Sequence, residues 1–234
     1  MKRAVKFLCA GIICSVLFSL TSCYRYQEKW VNELAGEFPD DTFTYDGVEP
    51  GELGPHGDIA RVSSADYPDY MIRIIKDDNG ELITNYNYYR YKEQIDGYFR
   101  DYMEAFFDCD AMNVNYTSHA YRSEYTPIED ISFDRFMERN VTWNCIGIRL
   151  FYEDEYPDDE QMKDILLSIL QENKDKPVNI FAYIFEEPYT GDLEFSNAVR
   201  VYHAYMSQPG TVDYIMAYPY GSDEQVYLVE DQDI

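Results

Sequence analysis

The sequence predicts an α+β fold, mixed β-sheets with amphipathic helices packed on one face, and three observations carry that reading. Helical and strand periodicities follow one another without settling into the regular alternation of an α/β chain. A turn-tipped hairpin and an unpaired first helix stand ahead of a more regular second half. Finally, 46% of the 234 residues are hydrophobic, with 24 Tyr and 13 Phe, which supplies a sizeable core and excludes an aromatic-poor disordered chain.

The chain opens with Lys2, Arg3 and Lys6 and no acid, followed by an uncharged run from Phe7 to Leu20. A basic end ahead of a short apolar segment is the pattern of a secretory signal. The run is shorter than the roughly 20 apolar residues that span a bilayer. It closes on Leu20-Thr21-Ser22-Cys23, which resembles the lipobox of bacterial lipoproteins, an aliphatic residue and two small ones before a cysteine. The resemblance implies that residues 1–22 are a removed signal peptide and that Cys23 becomes the lipid-bearing N-terminus. Residues 23–234 would then lie on the extracytoplasmic face of the cell membrane, since two or more acyl chains make a stable anchor.

Removing residues 1–22 takes away three of the 19 basic residues and none of the 44 acids, so the net charge moves from −25 to −28. Such a surface repels nucleic acid and anionic headgroups, which excludes nucleic-acid binding and leaves attachment to the acyl anchor.

A first helix is expected over Tyr26 to Phe38, with Trp30, Val31, Leu34 and Phe38 on one face. The stretch Gly47 to Gly57 then holds six Gly or Pro in eleven residues and reads as an irregular loop, continuing polar to Asp66. Tyr70–Lys76 and Glu81–Tyr88 form a hairpin around Asp77-Asp78-Asn79-Gly80, where Asn-Gly tolerates positive φ. The Asp-rich tip lacks the glycine and glutamate spacing of a calcium loop. A long helix follows from Arg90 to Phe107, striped by Ile95, Tyr98, Phe99, Tyr102, Met103 and Phe106. A strand carrying Met112, Val114 and Tyr116 comes next, and the polar stretch Ser118–Asp130 joins two candidate halves, 24–120 and 130–234.

In the second half Ser132 is placed to cap a short helix bearing Phe133, Phe136 and Met137. Thr142–Tyr152 alternates as a strand, and Asp158 with Gln161 forms a capping box for a helix striped by Met162, Ile165, Leu166, Ile169 and Leu170. Val178–Phe185 reads as a central strand and Leu193–Met206 as another helix stopped by Pro209-Gly210. Val212–Tyr218 and Gln225–Val229 read as closing strands around Pro219–Glu224.

The first helix, the Tyr70–Lys76 strand, the Asn79-Gly80 turn and the tyrosine-rich run from Asn85 to Lys92 resemble small lipoproteins of unknown function from Gram-positive bacteria. That likeness spans roughly residues 24–117 and implies a location but no activity.

The residues carry little recognisable chemistry. Six acids between Glu153 and Glu160 read as carboxylates near a helix N-terminus rather than a coordination shell. Glu186-Glu187 is the best-placed acid pair, yet neighbours in an extended chain point oppositely. His56, His119 and His203 are scattered, with no metal-ligand spacing, so neither metal nor cofactor is expected. No nucleophile elbow, phosphate loop or dinucleotide fingerprint is present, and no catalytic residue is nominated. Cys109 and Cys145 remain as a candidate disulfide, permitted outside the cytoplasm. The tyrosines offer a candidate binding surface: Tyr86 and Tyr88 on one strand face, and Tyr214 and Tyr218 (with Tyr220, if the strand runs past Pro219) on another. The function expected is a non-catalytic binding or interaction module with a basic protein or a glycan as partner. The alternative is a hydrolase of cell-wall or dietary glycan.

Overall fold

Two β-sheets, each with its own hydrophobic side, organise the chain in the computed structural model, which describes residues 28–50, 58–117, 124–186 and 197–234. Eleven strands and four helices lie among the described residues, in the expected α+β class. The box Leu20–Cys23 with Cys23, the beginning of the first helix, His56, His119, Glu187 and residues 193–196 fall outside them. No described helix is long and apolar enough to cross a membrane.

The chain divides into two compact units, residues 1–90 with 125–132 and residues 91–124 with 133–234. In the first unit helix α1, described over residues 28–37, and the residue after it bury Trp30, Val31, Leu34 and Phe38, the face its periodicity predicts. They pack with Ala60, Val62, Ile72 and Ile74 of an antiparallel sheet. Its strands are β1 (Phe43–Pro50), β2 (Asp58–Ser64), β3 (Ile72–Lys76), β4 (Leu82–Thr84) and β6 (Thr126–Pro127), in the order β1-β2-β3-β4-β6.

Two features of this sheet correct the sequence reading. The Gly- and Pro-rich stretch begins inside β1, which pairs with β2, so Gly47 marks a bulge and not a loop. Its φ of +127° and the register shift between Tyr45 and Gly47 are what a glycine permits at no steric cost. The β3–β4 turn forms as expected, with Gly80 at φ +83° and the Asp77 carboxylate accepting the N–H groups of Asn79 and Glu81 at 2.9 and 2.8 Å. Strand β4, however, stops at Thr84. The Thr84 hydroxyl accepts the Tyr86 N–H at 3.2 Å, and Asn85 Oδ1 accepts the Arg73 N–H at 2.7 Å. Helix α2 (Tyr86–Met103) starts there, so Tyr86 and Tyr88 lie on a helical turn rather than a strand.

The second unit holds a six-stranded mixed sheet in the order β11-β10-β9-β8-β7-β5. Its strands are β5 (Ala111–Tyr116), β7 (Asn144–Phe151), β8 (Val178–Phe185), β9 (Arg200–Met206), β10 (Thr211–Tyr218) and β11 (Val226–Asp233). Only β7 and β8 run parallel, because α4 (Asp159–Glu172) connects them as a crossover. The Asp158–Gln161 capping box is formed in both directions, and Met162, Leu166, Ile169 and Leu170 are buried. Ile148, Ala182, Ala204 and Ala217, fully buried on β7 to β10, share one face of the sheet. Helix α2 meets that face through Phe99 stacked on Tyr116, and α4 through Asp159 bonded to the Tyr202 hydroxyl. Helix α3 (Phe133–Asn140) buries Phe136.

Residues 200–206 form β9, which corrects the expected helix over Leu193–Met206. Tyr202, Ala204 and Met206 are buried at every second position, a period of two in a β-branched and aromatic segment. The expected Cys109–Cys145 bridge is also corrected. Cys109 carries a free thiol just before β5, where the Asp110 N–H donates to the Phe151 carbonyl. The β5–β7 register places Cys145 near the opposite end of β7. Strand rise puts about 20–25 Å between them, against the ~7 Å between Cα atoms that a disulfide allows.

Candidate functional site

The face of the second sheet turned away from α2 and α4 carries rings where the other carries aliphatic side chains. Residues paired across neighbouring strands share a face, so the register lays this surface out in rows. One row runs Asn179, Tyr205, Tyr214 and Glu230 across β8 to β11. The next runs Phe181, His203, Met216 and Tyr227. The ring of His203 stacks on Phe181 with centroids 3.9 Å apart and lies 5.1 Å from Tyr214. Tyr214 is 5.4 Å from Tyr205 and 6.3 Å from Tyr227. Phe181, His203, Tyr205 and Tyr214 are half-buried, and Tyr227 is 50% exposed. The rings therefore support one another sideways and present their outer surfaces to solvent.

Burial in this cluster holds the His203 imidazole down to about 4, well below its ordinary 6.5, so the ring is neutral at physiological pH. Its Nε2 lies 2.8 Å from Asn179 Oδ1, an acceptor, which assigns the proton to Nε2. Nδ1 is then the acceptor for the Tyr214 hydroxyl at 3.4 Å. Burial also raises the pKa of Tyr214, keeping that hydroxyl protonated. The cluster combines flat apolar area with neutral hydrogen-bonding groups and holds no ionised side chain at its centre.

Concave sites elsewhere in this unit are more committed to the fold. A groove of about 480 Å³ is lined by Tyr156, Asp158, Asp159, Glu160, Arg200 and Tyr202. The two Asp159 oxygens accept from Arg200 at 2.6 Å and the Tyr202 hydroxyl at 2.9 Å, while Asp158 caps α4. The acidic run thus acts on the helix end and on β9. A second groove, about 430 Å³, runs past Tyr98, Phe133, Met137 and Trp143, with the Lys176 ammonium 4.6 Å above the Trp143 ring. In the first unit a groove of about 540 Å³ is lined by Trp30, Glu33, Lys76, Glu81 and Ile128 among others. No group of three or more His, Cys, Asp or Glu among the described residues is arranged to hold a metal ion.

The predicted binding tyrosines separate. Tyr86 and Tyr88 are 3% and 5% exposed, which corrects their assignment to a binding surface. The Tyr86 hydroxyl donates to Asp41 at 3.0 Å, and its ring packs 4.5 Å from Phe38 and 5.1 Å from Phe43. Tyr214 belongs to the exposed cluster, while Tyr218 packs farther along the same face against the Phe151–Phe185 pair. Tyr220 lies past the end of β10 and is 43% exposed. Glu186 is exposed just beyond β8. Sequence reasoning missed Phe181, His203, Tyr205 and Tyr227, because assigning 200–206 to a helix removed the strand that brings them together. The alternation of His203 and Tyr205 with buried Tyr202 and Ala204 was the available signal. Comparison with known protein families, with curated proteins and with solved structures finds no match for this chain.

Proposed function

We propose that the chain is a lipid-anchored, extracytoplasmic binding module without catalytic activity, and that the ring-bearing face of its second sheet is the binding surface. One observation carries the reading: Phe181, His203, Tyr205, Tyr214 and Tyr227 meet on one sheet face with only partial cover. Tyrosine supplies contact area at low ordering cost and a hydroxyl at its tip, and adjacent rings fixed by strand pairing need little reorganisation to bind. The location rests on Lys2, Arg3 and Lys6, the Phe7–Leu20 run and the box ending at Cys23. An anchor through Cys23 holds an acidic domain at an anionic surface that its own charge avoids.

Both halves are open to test. Cells expressing Cys23→Ala should incorporate no radiolabelled palmitate into the protein and accumulate precursor or released chain; label entering the variant rejects the anchor. A broad screen of glycans and of basic and neutral peptides should find a ligand whose retention falls in Tyr205→Ala and Tyr214→Ala. Retention indifferent to both substitutions rejects the surface.

A further inference from the structure

Resting on that binding reading, we infer that the ligand is an uncharged polysaccharide lying across β8 to β11. The argument begins with where charge is missing. The chain carries 44 acids, yet the register places none of them on this face of β5, β7, β8, β9 or β10, and Arg149 is the one cation there. Glu230 on the outermost strand, opposite Tyr214, is the single carboxylate among the strand positions of the face. A cationic partner would find stronger attraction almost anywhere else on the molecule, and an anionic one would be repelled by the rest of it. The face is matched to a ligand without charge.

Its polar groups are of the same kind. Asn179 and a neutral His203 are interleaved with tyrosine hydroxyls that both donate and accept. Sugar hydroxyls are partners for such groups, and the apolar C–H face of a pyranose packs on a flat ring. Strand spacing of about 4.8 Å sets the separation of neighbours within a row, and two residues of strand rise, roughly 6.5–7 Å, separate one row from the next. The ring spacings of 5.1 to 6.3 Å are close to the length of one pyranose unit, and because the rings are turned 39° to 90° from one another, successive sugars would meet a ring face or a ring edge in turn. A face with only partial cover also suits a chain that continues in both directions.

The test uses the full-length chain in mild detergent, in native gels cast with hydroxyethylcellulose, xylan, galactomannan or a soluble β-1,3-glucan. At least one should retard the protein, with the retardation changing less than about twofold on adding salt, because no ion pair is screened. Tyr205→Ala and Tyr214→Ala should each weaken it about tenfold, and exposed Tyr227→Ala should weaken it measurably while circular dichroism stays unchanged. Retardation indifferent to all three variants overturns this site for the glycan. Failure of every neutral polysaccharide, with ring-dependent capture of a basic or neutral peptide in the screen, overturns the ligand class and leaves the binding surface standing. Failure of polysaccharides and peptides alike overturns both.

Discussion

Two groups of rings among the described residues use tyrosine in opposite ways. Around Tyr86 the rings of Phe38, Phe43 and Tyr67 close over a hydroxyl that donates to the buried Asp41 carboxylate. Asp41 also accepts from the Thr42 and Asp66 backbone N–H groups and the Ser64 hydroxyl, so every polar atom has a partner inside the fold. Around Tyr214 the rings stand side by side on a sheet, share a neutral histidine, and keep one surface in solvent. The amphipathic side chain is the same in both regions. What differs is whether a helix turn or a strand places it, and whether a carboxylate waits at the hydroxyl.

That contrast can be broken first at Asp41. Asp41→Ala removes the acceptor of four donors, of which the Ser64 and Tyr86 hydroxyls are buried, and unsatisfied buried groups cost roughly 1–3 kcal/mol each before relaxation. We expect a net loss of about 3–4 kcal/mol in urea denaturation; a loss below about 1 kcal/mol would show that the Tyr86 region is not sealed by this network. A smaller effect is expected from acid at His203. Its folded pKa is depressed, so the unfolded chain binds the extra proton first and stability falls as pH drops from its ordinary 6.5 towards about 4. The share due to this group is on the order of 2–3 kcal/mol. His203→Phe, which keeps the stack on Phe181 without titrating, should flatten the stability profile across that window, and an unchanged slope would remove His203 as its cause. The smallest effects separate the regions directly. Tyr86→Phe should cost about 1.5 kcal/mol for a hydrogen bond to a charged acceptor, whereas Tyr227→Ala on the open face should cost less than about 0.5 kcal/mol. Equal costs in thermal unfolding would dissolve the distinction.

The same contrast shows what could be read from the residues. The Asp158–Gln161 box, the stripe of α4, the alternation of β7 and the apolar β8 were legible, because each is a local pattern whose partner lies within a few residues. The fate of Tyr86 was not. Alternating Tyr86 and Tyr88 mimic a strand, and only the Thr84 and Asn85 side chains, bonded to the Tyr86 N–H and to β3, end β4 and start α2. Tyr214 was found because its own strand alternates, while Phe181, His203 and Tyr205 come beside it through pairings of β8 with β9 and β9 with β10. A site assembled across strands leaves no spacing signature in any one of them. The Gly47 bulge failed for a related reason, since glycine in a strand and glycine in a loop look alike until the pairing strand is known.

The short strand β6 sets an order of events in time. It completes the first sheet by pairing with β4, and Thr126 and the Glu129 carbonyl accept the buried amide of Asn87. These residues are synthesised only after the whole stretch 91–124 of the other unit. During synthesis, the first unit would therefore wait with the β4 edge open and the Asn87 amide unpaired until residue 132 has emerged. A fragment ending near residue 120 would keep that open edge permanently, and unpaired edges invite association with other chains. The N-terminal unit would be the first made but not the first finished.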